Sequence, residues 1–513
     1  WQYFQQNRYK FYNRTKTSEK VSDDFRTWGL ETLFNEIHTY YQRSLENGLL
    51  LQQEPLDKYK MLLVEAENSK AFRPTLFDLL SHNALTFYKT DENSITKPAY
   101  KFEIDSTDIL SDSEAFINLN LKSKDSTSLQ LNALKIYQNL LKFHRNAKPS
   151  KAFVSNDIER LTFVYQHATF STKDPLLLET LKGKADILKA SPLSALYNFE
   201  IASLYSQQGN TYNATNANSP NNTIRWKIKD ALDLCNNVIA KYPKSDGAKQ
   251  CEILKQQILQ PHLRLQAESY IPVNSASRVL VNYKNLNALD FEIYKVNKSL
   301  LERYNKTYNA NDKSKFFLNL TPFESFSKTL KSEDDYQSHS TELIIPQLPN
   351  GLYLIKADTN SKDSVFAAAH IQVTDMALVE STQNDIVYYQ LIDRSNGEPI
   401  VDAAIKLTYR NNRNKTFSKK LTTDRYGKFE FNKDNSYYRA LEIKADYKNQ
   451  TAYFGNYNIG RSYELQENND TRYNMFLFTD RSIYRPGQTV YFKGIATATK
   501  NGKTKVFADN AAK

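Results

Sequence analysis

Cysteine is nearly missing from this chain. Two occur in 513 residues, so no disulfide framework carries the fold. Neither has a CxxC partner, which excludes the spacing of a zinc site or a thioredoxin-like pair. Glycine is sparse as well, and the 13 glycines are spread singly, so no glycine-rich phosphate cradle exists. No apolar run approaches the ~18 residues of a membrane-spanning helix. None of the 7 histidines opens a His-Glu-x-x-His helix, and there is no Gly-x-Ser-x-Gly elbow. The segment "GIATATKNGKT" ends like a phosphate loop at Gly502-Lys503-Thr504. However, Thr497 stands where the earlier glycine is required, and the context is a strand with no helix after it. The carboxylate pairs Asp23-Asp24 and Asp334-Asp335 are flanked by polar residues and are expected to be solvated. The residues thus point to no catalytic, cofactor-binding or metal-binding group, and to a chain that is not an enzyme.

What is present describes an ordinary folded chain. The hydrophobic fraction is 40% and the charged fraction 24%, which excludes fibrous and disordered classes. The length predicts roughly three to five domains. Net charge is +11 and the pI about 9.1. The lysines are nevertheless dispersed among acids, with no basic block interleaved with aromatics, so no nucleic-acid partner is expected. The chain begins at Trp1 without a Met or a leader-like apolar segment, as expected if a signal peptide has been removed or the sequence starts partway.

The residues change character near position 265. Before it, apolar residues recur at helical spacing. "RPTLFDLLSHNALTFY" puts Phe77, Leu80, Ala84 and Phe87 on one stripe, with Pro74 suited to a helix's first turn. "LQLNALKIYQNLLKFHR" does the same with Leu131, Leu134, Tyr137 and Leu141. These stripes are read as core faces. Residues 1–190 form an N-terminal helical region on this reading.

Residues 191–262 have a more specific pattern. "PLSALYNFEIASLYSQQGN" reads as one helix ending near Gly209. After an Asn-rich loop, "KIKDALDLCNNVIAKYPKSDGAKQCEILKQQIL" reads as helix, Tyr-Pro break, helix, and resembles a tetratricopeptide hairpin. Cys235 and Cys251 are equidistant from Pro243 in the turn, so in an antiparallel hairpin they face each other. The sulfurs can join in a disulfide if the Cα atoms lie within about 7 Å and the compartment is oxidising. The alternative is a pair of buried thiols.

After about residue 265 the apolar period becomes two, with turn punctuation. "SRVLVNYKNLNALDFEIYKV" reads as two strands around "NLN". "LPNGLYLIKAD" gives a turn and a strand with Tyr353, Ile355 and Ala357 on one face, and "AAAHIQVTD" gives another strand. Residues 263–375 have the size of a β-sandwich. A second sandwich is expected over 376–473. There Asn396-Gly397 is a tight-turn pair, Asp424-Arg425-Tyr426-Gly427 marks another turn, and Phe429 and Phe431 share a strand face.

Near the end, "FLFTDRSIYRPGQTVYFKGIA" sets Phe476 and Phe478 on one strand and Val490 and Phe492 on the next. Between them, Arg485-Pro486-Gly487-Gln488 suits a type II turn, since Pro fixes φ at its second position and Gly allows positive φ at its third. Asp480, between Arg481 and Arg485, is placed to pin the connection through a guanidinium or backbone amides. With no His or second carboxylate nearby, an acid–base role is disfavoured.

The pattern from Thr479 to Gly494, "TDRSIYRPGQTVYFKG", resembles the α2-macroglobulin family, where it marks an early macroglobulin-like sandwich. Asp480, Arg481, Tyr484, Arg485, Pro486 and Gly487 are the residues that carry the signature. "LIDRSNGEPIVDAAIKL" with "TTDRYGKFEF" resembles a macroglobulin-like or carboxypeptidase-regulatory-like sandwich. The helical half resembles the N-terminal extension of long bacterial members from Bacteroidota. The resemblance implies a fold of helices, partly tetratricopeptide-like, followed by macroglobulin-like antiparallel β-sandwiches. Residues 474–513 would begin a third, truncated sandwich.

In such a family, protease traps use a bait region and a Cys-Gly-Glu-Gln thioester. Neither Cys235, before "NNV", nor Cys251, before "EIL", resembles that motif, so both features would lie downstream. The resemblance implies an exported cell-envelope protein, in the periplasm or at the outer membrane, with proteases as partners and no cofactor. A lipid-bearing Cys upstream of Trp1 is compatible with it. The alternative is a scaffold or binding subunit of an outer-membrane protein complex without trapping activity, since helical hairpins commonly present concave binding surfaces.

Overall fold

The structure, a computed structural model, describes residues 1–12, 22–90, 100–146, 148–213, 222–359, 365–383, 386–411, 413–433, 437–460, 471–479, 489–500 and 503–507. The chain divides into two compact units. One comprises Trp1–Gln260 and Glu333–Gln337; the other comprises Pro261–Ser332 and Ser338–Lys513. The helices-then-sheets order read from the sequence is the order observed.

The long helices of the first unit are Leu30–Leu45, Leu76–Tyr88, Leu129–Phe143, Lys151–His167, Lys173–Ile187, Ser194–Gly209, Lys227–Lys241 and Asp246–Leu259. Their starts follow local chemistry. Ser128, Ser150 and Ser245 each accept a backbone N–H of the following turn, which satisfies a donor the helix leaves open. Thr75 and Asp78 form a reciprocal capping box, so Pro74 lies outside the helix rather than in its first turn. Phe77, Ala84 and Phe87 are buried as their stripe requires, while Leu80 is half-buried. Leu131, Leu134, Tyr137 and Leu141 are all fully buried.

The Ser194–Gly209 helix serves two cores. Leu196, Tyr197, Ile201 and Leu204 join the core of the preceding helices, whereas Ala195 and Ala202 join the cluster around Cys235 and Cys251.

The first sandwich contains β1 (His262–Ala267), β2 (Tyr270–Ile271), β3 (Ser277–Lys284), β4 (Ala288–Val296), β5 (Glu324–Thr329), β6 (His339–Ile345), β7 (Gly351–Asp358) and β8 (Phe366–Val373). They form sheets of order β1-β3-β6 and β2-β8-β7-β4-β5, antiparallel except for β2–β8. The "NLN" connection therefore carries the chain from one sheet to the other, with Asn285 at φ 54°. Val279, Val281 and Tyr283 from one sheet meet Phe291, Ile293, Tyr353, Ile355 and Ala357 from the other. The outward side of β7 is buried as well: Leu352 and Leu354 pack with Leu301, Tyr304 and Phe317, on and beside the short helices Lys298–Asn305 and Ala310–Phe316. Strand periodicity alone did not reveal that helical insertion.

The second sandwich contains β9 (Met376–Gln383), β10 (Ile386–Asp393), β11 (Ala404–Arg410), β12 (Thr416–Thr422), β13 (Lys428–Asn432), β14 (Tyr438–Tyr447) and β15 (Gln450–Ile459). Its sheets have the orders β13-β10-β9 and β12-β11-β14-β15. Asp424 accepts the backbone N–H groups of Tyr426 and Lys428, and Gly427 takes φ 70° with Leu391 O only 2.4 Å from where a Cβ would stand. This turn needs glycine. Phe429 and Phe431 are buried, as their alternation predicts.

Amide side chains of the first sandwich pair with the edge strand β15. Asn350 donates to Thr451 O at 3.2 Å and accepts from Thr451 N at 3.0 Å. Gln372 likewise donates to Tyr453 O at 3.1 Å and accepts from Tyr453 N at 2.9 Å. The two amides act as a short substitute strand that satisfies an otherwise open edge.

A separate sheet of order β16-β17-β18 follows, with β16 (Arg472–Thr479), β17 (Phe492–Lys500) and β18 (Lys503–Val506). β16 and β17 pair from Arg472↔Thr499 to Thr479↔Phe492. The hairpin is therefore present, with Val490 just before the second strand rather than within it.

Candidate functional site

The signature residues Asp480, Arg481, Tyr484, Arg485, Pro486 and Gly487 lie outside the described residues. The strands that flank them are described: the side chains of β16 are solvent-exposed, and β17 is half-buried from Ile495 to Thr499. Tyr473 is 63%, Leu477 62% and Phe476 53% accessible, so both faces of β16 carry uncovered apolar groups. On one face Tyr473, Met475 and Leu477 lie opposite Ala498, Ala496 and Gly494; on the other Phe476 lies opposite Ile495. A three-stranded sheet gains little stability until at least one such face is buried.

Cys235 and Cys251 meet as the hairpin geometry requires. Both are fully buried and are free thiols in the structure, within the cluster of Ala231, Leu232, Val238, Ala248 and Ile258. They share a side-chain hydrogen bond, which lowers the pKa of Cys235. The same bond, together with burial, pushes Cys251 up.

The sequence reading missed the polar interior of the helical unit. Asp335, expected to be solvated, is buried: Arg225 Nε donates to its Oδ2 at 2.7 Å, and the same guanidinium also bonds Glu333. Gln337 completes the anchor by donating to Gly209 O and Arg225 O, each at 3.0 Å. Flanking polarity misled here because the partner is supplied 110 residues away. Asp334 is exposed, and Asp24 is a half-exposed cap that accepts from Arg26 N at 3.0 Å.

Two further clusters lie inside. Asp78 accepts from Thr75 through Oδ2 and meets His144 Nε2 at 2.6 Å through Oδ1. Arg160, fully buried, donates to Asp157 Oδ1 at 2.7 Å and to Ile109 O at 2.9 Å, with its guanidinium 4.5 Å from the Phe116 ring centre. Tyr197 Oη donates to the second Asp157 oxygen at 2.7 Å. Burial raises the Glu200 carboxyl to about 7. Asp157, Arg160 and Tyr197 bond one another, although among the described residues the Arg160 Nε is left without a hydrogen-bond partner, and their geometry is that of interior fasteners. None sits in a cleft with a nucleophile and an oriented base.

Among the described residues, no group of three or more His, Cys, Asp and Glu side chains is arranged to hold a metal ion. Within the same residues no helix is long and apolar enough to cross a membrane. Lys503 and Thr504, the end of the phosphate-loop-like segment, lie in β18.

No protein-family model matches the chain, and no curated protein sequence matches it. Among solved structures, native alpha-2-macroglobulin from Escherichia coli spanning domains MG0-NIE-MG1 aligns at 15% identity with a TM-score of 0.29, covering 38% of this chain and 64% of that one. A shorter piece of the Escherichia coli protein, spanning NIE-MG1, aligns with the same TM-score and identity over 97% of its length. A Salmonella alpha-2-macroglobulin aligns at 19% identity with a TM-score of 0.27, covering 46% of this chain and 15% of that one. The chain thus spans less than two thirds of the first of these structures.

Proposed function

We propose that this chain is the N-terminal portion of an α2-macroglobulin-like protein of the bacterial cell envelope, of Bacteroidota type, whose complete form acts as a broad protease trap. The observation that carries the reading is the "TDRSIYRPGQTVYFKG" pattern joining β16 to β17. The order of helical unit, two sandwiches and a further sheet agrees with it. The bait and any thioester belong to downstream sequence, as does the second sheet that would cover β16–β18. A complete trap is expected to enclose endopeptidases of several specificities, so that they lose activity on a large protein substrate and retain it on a small peptide substrate. If the full-length protein leaves both activities untouched and a pull-down returns an outer-membrane β-barrel without peptidases, the trapping reading fails and the scaffold reading replaces it.

Cys235 and Cys251 fit a disulfide in an oxidising envelope, since their sulfurs already touch. Closing a loop of about 15 residues would add about 3 kcal/mol to the hairpin's stability. Protein isolated from the native compartment and titrated with a thiol reagent under denaturing, non-reducing conditions should show no reactive thiol. Two free thiols there would refute the bridge.

A further inference from the structure

We infer that the helical unit binds an acidic peptide segment bearing apolar side chains, in the groove at the turn between the Lys227–Lys241 and Asp246–Leu259 helices. The inference is independent of the trapping proposal.

The groove encloses about 430 Å³, within the range of sites that take a few side chains. Its floor is apolar: Pro192, Leu193 and Leu196 come from the start of the Ser194–Gly209 helix and the residues before it, and Tyr242 and Pro243 come from the turn. Tyr242 is fixed in place, because its hydroxyl donates to Lys189 O at 2.6 Å. Gly247 allows the close packing that shapes the site, since its Cα rests directly on the Ala195–Leu196 backbone.

The rim carries three lysines, Lys151, Lys241 and Lys244, and one acid, Asp246. Lys151 already pairs with Asp246 at 2.5 Å, so those two charges cancel. Lys241 and Lys244 are exposed and, among the described residues, face no acidic partner; the Lys241 ammonium instead lies 5.1 Å from the Tyr242 ring centre. An apolar floor bordered by two uncompensated cations selects an occupant that brings apolar groups and negative charge together. Burying leucine-like side chains supplies the affinity, and the lysines supply steering and selectivity. A basic peptide would meet like charge, and a neutral polar one would leave the floor wet.

The test uses the full chain and a fluorescein-labelled peptide of aspartate and glutamate with two central leucines, read by anisotropy. Saturable binding is expected, weakening as salt rises. Replacing the leucines by serine, or changing the protein to K241E/K244E, is expected to weaken binding by about tenfold or more. Lys249→Glu, on the Asp246–Leu259 helix but outside the groove, should leave binding unchanged. The urea midpoint of K241E/K244E, read by tryptophan fluorescence, should match the parent and so exclude unfolding. The inference is overturned by any of three results: no saturable binding, equal binding by K241E/K244E, or lysine-dependent binding to phosphatidylglycerol vesicles without peptide binding.

Discussion

Arg160→Leu is expected to cost the helical unit about 3–5 kcal/mol. The guanidinium is wholly buried and, among the described residues, is the only cation bonded to Asp157, which is equally buried. Among the described residues, removing it leaves the Asp157 carboxylate with the Tyr197 hydroxyl alone, and it strips Ile109 O of its side-chain donor. Burial and the adjacent carboxylate hold the Tyr197 hydroxyl well above its ordinary pKa, so it stays a proton donor and cannot supply the missing charge. The loss also includes the contact with the Phe116 ring. The double change Asp157→Asn with Arg160→Leu should recover much of the stability. It removes both charges, while Asn can still accept from Tyr197. Urea unfolding followed by tryptophan fluorescence measures this selectively, because Trp1, Trp28 and Trp226 all lie in the helical unit. A loss below about 1 kcal/mol for the single variant would show that the pair is not a fastener.

Gly247→Ala is expected to be comparably severe, at about 3 kcal/mol, although it adds a single methyl group. A Cβ at that position would stand 2.3 Å from Ala195 C, 2.4 Å from Ala195 O and 2.6 Å from Leu196 N. These are backbone atoms of a packed helix, so no side chain can swing away to make room. The Asp246–Leu259 helix would have to lift from the Ser194–Gly209 helix, which would also open the contact between Cys235 and Cys251. Faster reaction of both thiols with a thiol reagent, under reducing-purified conditions, is therefore expected alongside the lower urea midpoint. Gly183→Ala is the control. Gly183 lies in the Lys173–Ile187 helix with nothing within 4 Å of an added Cβ. There the usual helix preference for Ala should raise stability by up to about 1 kcal/mol. If the two glycine variants behave alike, close packing at Gly247 is not what the residue provides.

Both predictions rest on features with different legibility in the sequence. The Gly in "SDGAKQC" belongs to a hairpin pattern that spacing exposed, and the Tyr-Pro break and the facing cysteines followed from the same pattern. The Asp157–Arg160 pair could not be read that way. An Asp and an Arg three apart on a helix usually face solvent, and only the packing of Phe116, Ile109 and Tyr197 around them turns the pair into a buried fastener. Asp335 failed for the same reason, since Arg225 approaches it from a distant part of the chain.

The sequence by itself determined the succession of elements: helices to about residue 260, strands after it, the turn at Gly427 and the hairpin around the "TDRSIYRPGQTVYFKG" pattern. These are set by periodicity, caps and backbone freedom, which act over a few neighbouring residues. The tertiary structure alone decided which strands share a sheet, which carboxylates are buried, how Asn350 and Gln372 close the edge of β15, and where two lysines border an apolar groove. Such features depend on groups brought together from distant parts of the chain, and their free energy is set by what surrounds them once water is excluded.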